Sequence, residues 1–200
     1  MSRGRFASLL TALGILRPAA KTFVLSNAPP ETIYLSRNGW VPNHHLPVLL
    51  YRAALDPTLE RPAARFDKMF RSNGWPPQWR NGVYDFHHYH STAHEVMGIA
   101  GGQARLMLGG EGGHEVTLRA GDVAVLPVGT GHCKLEGSPD LLVVGAYPPD
   151  MDWDICRKPP TLEAMERMRR LKLPTSDPVE GPEGSLPRLW SRPASIATAS

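Results

Sequence analysis

Residues 82–102 read GVYDFHHYHSTAHEVMGIAGG, and residues 121–132 read GDVAVLPVGTGH. In the first stretch His88 and His90 are two apart, so on an extended strand both imidazoles leave the same face. Glu95 follows after a short turn, and His132 closes the second stretch, which suits a neighbouring strand. A lone histidine in a β-protein is more often a core or surface residue. Three at these spacings with one carboxylate instead suggest a single-ion site. That donor set suits Mn, Fe, Ni, Zn or Cu better than Ca or Mg.

Working outward, the period of two sorts the neighbours. Tyr84, Phe86, His88 and His90 share one face, and Val83, Asp85, His87 and Tyr89 the other. Glu95, Met97 and Ile99 alternate next, before Gly101-Gly102. Residues 103–108 and 114–119 flank the glycine-rich run 109–113 and read as a hairpin. Residues 123–126 and 141–147 complete the series. Upstream, residues 32–35 and 47–52 read as short strands. A helical stretch opens at Asp56-Pro57, presents Phe66, Met69 and Phe70 on one face, and ends at Asn73-Gly74. Twenty prolines and nineteen glycines punctuate the chain, as expected for an all-β sandwich or small barrel.

After Tyr147 the texture changes. Proline pairs at 148–149 and 159–160 bracket a loop. Thr161 can cap a helix running to about Leu171, with Leu162, Met165 and Met168 apolar. Residues from Pro174 onward are proline-rich and read as a surface wrap. Trp75 and Trp79 are read as packing over the barrel mouth.

The 200 residues fit one domain. The expected division is an N-terminal extension over 1–30, a single domain over 31–190 with its barrel at about 80–150, and a disordered tail over 191–200. A net charge of +3 with scattered basic residues gives no nucleic-acid platform. No run is long enough to span a membrane. Arg3 and Arg5 before the apolar residues 7–16 resemble a short signal peptide, but Arg17-Pro18 interrupts where cleavage would be prepared. An acid-free first 30 residues also has some character of a transit segment. The favoured reading is a cytoplasmic protein with a short amphipathic N-terminal helix. Cys133 and Cys156 make no disulfide framework.

At the two histidine stretches the sequence resembles the cupin superfamily. Gly82, His88, His90, Glu95 and Gly102 meet every position of its first motif. Gly121, Pro127, Gly129 and His132 meet its second, with Glu136 standing where the pattern has asparagine. The longer strings around residues 87–95, 127–132 and 144–149 are similar to a narrower group, the small YjlB-like cupins. The resemblance implies a single double-stranded β-helix barrel, jelly-roll-like, with a few peripheral helices. It implies one divalent ion (Mn, Fe, Ni or Zn) held by His88, His90, Glu95 and His132, a small-molecule ligand or substrate, and a homodimer paired through edge strands.

Other candidates follow from position. Tyr84, Phe86, Met97 and Ile99 share the inward parity and can line a substrate cavity, and Arg105 and Lys134 can anchor an anion. Gly129 and Gly131 can turn the chain so that His132 points inward. His94 is a candidate for a swapped ligand. His87 has the wrong parity and is assigned behind the ligands or at an interface, and His44, His45 and His114 are assigned to solvent. The leading functional expectation is a metal-dependent enzyme of dioxygenase or oxidoreductase type acting on a small polar molecule. An isomerase or lyase with Glu95 moving protons is the alternative, as is a non-catalytic binding or sensor module.

Overall fold

The computed structural model describes residues 28–191. The expectations of an N-terminal helix or targeting segment, and of a disordered tail, fall almost wholly on residues 1–27 and 192–200, outside the described residues. Nine strands and three helices follow in the order β1 (Glu31–Ile33), β2 (Val48–Tyr51), α1 (Pro62–Ser72), β3 (Pro77–Asn81), β4 (Glu95–Gly101), β5 (Gln103–Leu108), β6 (His114–Arg119), β7 (Val123–Leu126), β8 (His132–Gly137), β9 (Leu142–Ala146), α2 (Leu162–Arg170) and α3 (Ser185–Leu189). The strands form two antiparallel sheets. One runs β1-β2-β7-β4-β9-β3, and the other β6-β5-β8.

Both faces of the inner strands of the six-stranded sheet are covered, while the edge strands β1 and β3 are largely exposed. Strands such as Val48–Tyr51 and Val123–Leu126 are buried at every position, which is why they read as unbroken apolar runs rather than alternations. One face looks into the barrel. There Val48, Leu50, Met97, Ile99, Ala124, Leu126 and Val143 meet Ala104, Leu106, Leu108, Val116 and Leu118 of the facing sheet. The other face packs Leu49, Val96, Val123, Val125, Val144 and Ala146 against Phe66 and Phe70 of α1. The three-stranded sheet keeps its outer face in solvent, so β5 and β6 show the plain alternation legible in the sequence.

The chain after Pro174 does more than wrap the surface. Val179, Leu186 and Trp190 are buried in the outer core. Asp177 organises them. Its carboxylate accepts the N–H groups of Val179, Glu180 and Leu186 and the Tyr51 hydroxyl. Trp75 belongs to this outer core and donates to the Ser176 carbonyl, so it does not cover the mouth. Strand β3, which the sequence reading did not anticipate, begins at Pro77 and sits at a sheet edge, where a missing donor is tolerated.

Residues 82–94 also depart from expectation. They form no continuous strand. His88 pairs with His132, and Tyr89 with Cys156, as isolated bridges. The segment is threaded between the start of β8 and the loop before α2, and what it keeps of a strand is extended parity over 88–90 rather than a ladder.

Gly98 lets α1 lie on the sheet. A Cβ there would stand 2.7 Å from Cδ1 of Phe66 and 2.9 Å from Cζ of Phe70. Gly98→Ala is expected to destabilise the fold by about 1–3 kcal/mol through overpacking, read as a lowered urea midpoint with an unchanged slope.

Candidate metal centre

His88 and His132 face each other across their bridge, each donating its N–H to the other's carbonyl at 3.1 and 2.9 Å. Residues directly opposite on one face bring their side chains together, and the two ring centroids are 4.0 Å apart. His90, two residues on, is 5.5 Å from His88 and 5.4 Å from His132. Glu95 opens β4, paired with Leu126 of β7. All four side chains are buried. The three histidines each offer a ring nitrogen within 4.8 Å of the others, and can hold a metal ion. Gly129, at φ 81°, makes the turn that delivers the chain to His132.

The hydrogen bonds fix which nitrogens face inward. Nδ1 of His88 lies 3.1 Å from the Phe86 carbonyl, Nδ1 of His132 lies 3.1 Å from the Thr130 carbonyl, and Nδ1 of His90 contacts the Asp154 carbonyl. A carbonyl only accepts, so in each neutral ring the proton sits on Nδ1 and Nε2 keeps a lone pair. This is the usual arrangement behind a metal-bound imidazole.

Glu95 adds a fourth acceptor. Its Oε1 accepts from the Tyr147 hydroxyl at 3.0 Å. Its Oε2 is buried without a hydrogen bond, 3.4 Å from Nε2 of His90 and 3.3 Å from Nε2 of His132. Two donors bound at ~2.1 Å to one ion, at tetrahedral or right angles, stand ~3.0–3.4 Å apart. The spacing around Oε2 therefore fits a shared cation.

Electrostatics agree. Burial pushes the His132 imidazole down to about 3, and burial likewise lowers His88. Burial would raise the Glu95 carboxyl, but His90, then His132 and His88, outweigh it and hold it at about 2. Burial opposes charge on His90 too, yet the adjacent Glu95 raises it above the ordinary value. A proton on His90 thus relieves part of the crowding that a divalent ion would relieve throughout.

A cavity of about 110 Å³ reaches this cluster, walled by Trp79, Tyr84, Met97, Tyr147 and Trp153. Of the expected cavity residues, Ile99 packs in the barrel core instead, while Tyr84 and Met97 line the cavity. Phe86 does not. Its ring stacks on Tyr84 at 4.8 Å, beneath the Arg157 guanidinium. Arg105 is placed elsewhere. The inward positions of β5 are Ala104, Leu106 and Leu108, so alternation turns Arg105 outward to pair with Glu115 and Glu136. Lys134 is not in the wall either. His94 points away from the cluster, accepting from the Val128 N–H and packing 5.1 Å from Trp190, so it is no swapped ligand. His87 and His44 are half-buried, while His45 and His114 are exposed.

Sequence reasoning missed the loop 148–160 as part of the site. Asp154 supplies the carbonyl that orients His90, and its carboxylate accepts the N–H and hydroxyl of Ser91 at 2.6 Å each. Arg167 of α2 donates to the same Ser91 hydroxyl at 2.7 Å. Trp153, from this loop, stacks on Tyr147 with centroids 5.8 Å apart.

No protein-family model matches the chain. The uncharacterised protein YjlB of Bacillus subtilis (strain 168) is 34% identical over 163 residues, covering 80% of this chain and 96% of that one. Among solved structures, an 11S globulin from Wrightia tinctoria is 18% identical over 62% of this chain and 28% of its own, with a TM-score of 0.34. A DUF861 family protein from Thermotoga maritima is 24% identical over 43% and 92%, with a TM-score of 0.28. An oxalate decarboxylase from Lactobacillus farciminis is 14% identical over 55% and 25%, with a TM-score of 0.29. The chain thus spans about a quarter of the globulin and of the decarboxylase. Two facing antiparallel sheets around a buried histidine cluster define a cupin barrel. By its similarity to the Bacillus subtilis protein, the chain belongs to the YjlB-like cupins.

Metal-free protein is expected to lose stability in acid. His132 and His94 are each held at about 3 by burial, and His44 at about 4. A lowered folded-state value means the unfolded chain binds the proton more readily. The contribution of these three groups should therefore be full above about pH 6.5 and fall as the pH drops below it toward these values. His90, raised by Glu95 despite its burial, contributes stability of the opposite slope, lost as the pH rises through its folded value. Thermal midpoints of chelator-treated protein across this range check the sign.

Proposed function

We propose that His88, His90, His132 and Glu95 hold one divalent transition metal (Mn, Fe, Ni or Zn), and that the protein is a metal-dependent enzyme of dioxygenase or oxidoreductase type acting on a small polar molecule. The observation that carries this reading is the convergence, in one buried cluster, of ring nitrogens from His88, His90 and His132 with the Glu95 Oε2 that has no hydrogen bond. Such an ion supplies Lewis acidity and, for iron or manganese, redox chemistry. Four protein ligands leave positions open on a metal that prefers five or six.

The chain's own residues limit the substrate. A cavity of about 110 Å³ has room for a small molecule beside the ion. Tyr84 and Met97 offer contact surface, and no Lys or Arg lines the cavity among the described residues. A second negative charge on the substrate would lack a counter-ion there. The titratable groups in the wall are the four metal-site side chains and two tyrosines. Glu95, with one oxygen engaged by Tyr147 and the other among the imidazoles, has little freedom to shuttle protons. That favours oxidative chemistry over an isomerase or lyase in which Glu95 is the base.

The same proposal includes a homodimer through an open edge strand, β1 and β3 being edges of the larger sheet, and a reducing, cytoplasmic setting, which the free Cys133 and Cys156 support. No described helix is long and apolar enough to cross a membrane.

Untagged protein is expected to carry one transition-metal ion per chain by elemental analysis, and His132→Ala to lose most of it. Full occupancy in the variant would overturn the ligand assignment. Metal-loaded protein should consume oxygen with some member of a panel of small hydroxy- and oxo-compounds. Turnover of the panel only by isomerisation would favour the acid–base alternative, and binding without any turnover the sensor reading. Solution scattering should give twice the chain mass.

A further inference from the structure

Tyr147 directly follows β9 with its side chain buried; its ring meets the His90 ring edge-on at 5.9 Å, and its hydroxyl reaches Glu95. Its hydroxyl has two partners. Nε1 of Trp79 donates to it at 2.8 Å, and it lies 3.0 Å from Oε1 of Glu95. An indole N–H only donates and a carboxylate only accepts, so the order of the protons is forced. Trp79 gives to Tyr147, and Tyr147 gives to Glu95. Trp79 lies on β3, and Tyr147 follows the end of the neighbouring strand β9. Gly145 on β9 makes room for the arrangement, because a Cβ at that position would overlap the Trp79 indole.

This chain treats the two oxygens of Glu95 differently. Oε1 is occupied by a hydroxyl donor, whereas Oε2 is buried without a hydrogen bond beside Nε2 of His90 and His132. We propose that Tyr147, oriented by Trp79, is a positioning residue that restricts Glu95 to a single-oxygen contact with the bound metal, keeping a coordination position open toward the cavity. The proposal rests on the metal reading above. It adds that the two rings walling the cavity also set the geometry of the carboxylate, so a ligand that shifts Trp79 or Tyr147 acts on the ion through Glu95.

Cobalt(II) is the probe, because its visible d–d bands report coordination number. Metal-free protein is titrated with cobalt(II), following both affinity and spectrum, for the wild type, Tyr147→Phe and Trp79→Phe. In Tyr147→Phe, Oε1 is released and can join Oε2 on the ion. The expected result is a weaker, altered d–d spectrum of higher coordination number, with affinity lowered about 10- to 100-fold. In Trp79→Phe the hydroxyl keeps Glu95 but loses its fixed direction, so a smaller change in the same sense is expected. A merely structural role for Tyr147 would lower the thermal midpoint and leave the spectrum of the bound ion unchanged.

If the wild type binds cobalt(II) and both variants reproduce its affinity and spectrum, the positioning role is wrong while the metal site stands. If the wild type binds none, the metal reading fails and this proposal with it. Should Tyr147→Phe not fold, the spectrum of Trp79→Phe decides alone, an unchanged one overturning the proposal.

Discussion

A carboxylate buried among three imidazoles is the constraint around which the rest of this barrel is arranged. Removing a charge from water is expensive unless it is paired and hydrogen-bonded. Glu95 has one such bond, from Tyr147, and three imidazoles whose protons are turned away toward backbone carbonyls. Each of those carbonyls belongs to a different segment, at Phe86, Thr130 and Asp154. The backbone of three loops thus sets the tautomers, and the tautomers set the attraction for a cation. Polar networks of this kind are stable only when every member is served.

The double-sided burial of the larger sheet explains how such a cluster is held still. Met97 and Ile99 anchor β4 from inside the barrel, while Val96 and Ala100 anchor it from outside against the α1 layer. A strand gripped on both faces cannot slip its register without exposing one of them, so Glu95 at its start is fixed. The opposite wall is looser in construction. His88 and His90 ride on a segment pinned by isolated bridges, which leaves their orientation to side-chain and carbonyl contacts rather than to a ladder.

Much of this was legible in the sequence, and the failures have physical causes. The hairpin of β5 and β6 was readable to the residue because one of its faces is wet and its turn is rich in glycine. The parity of His88 and His90 was readable because two residues of extended chain return a side chain to the same face whatever it pairs with. Arg105 was misassigned because its own alternation points away from the barrel, a direction visible only once Ala104 and Leu106 are known to be inside. Strand β3 was hidden by Pro76-Pro77, since proline argues against a strand until the strand is known to be an edge. Asp154, Trp153 and the Trp79–Tyr147 contact join positions more than sixty residues apart, or sit on a loop without any period. The C-terminal segment misled for a related reason. Its prolines signalled irregular backbone correctly, but irregular chain can still be buried when a side chain such as Asp177 satisfies its N–H groups.

The loop between β9 and α2 has a standing unlike the rest of the barrel. Through Asp154 it steers His90, through Trp153 it narrows the entrance, and through Ser91 and Arg167 it is buckled to α2. None of these residues lies on a strand. Evolution can therefore lengthen, shorten or rewrite this one stretch and obtain a new selectivity while the gripped sheet beneath stays untouched. Divergence within the lineage should be sought first between Pro148 and Pro160.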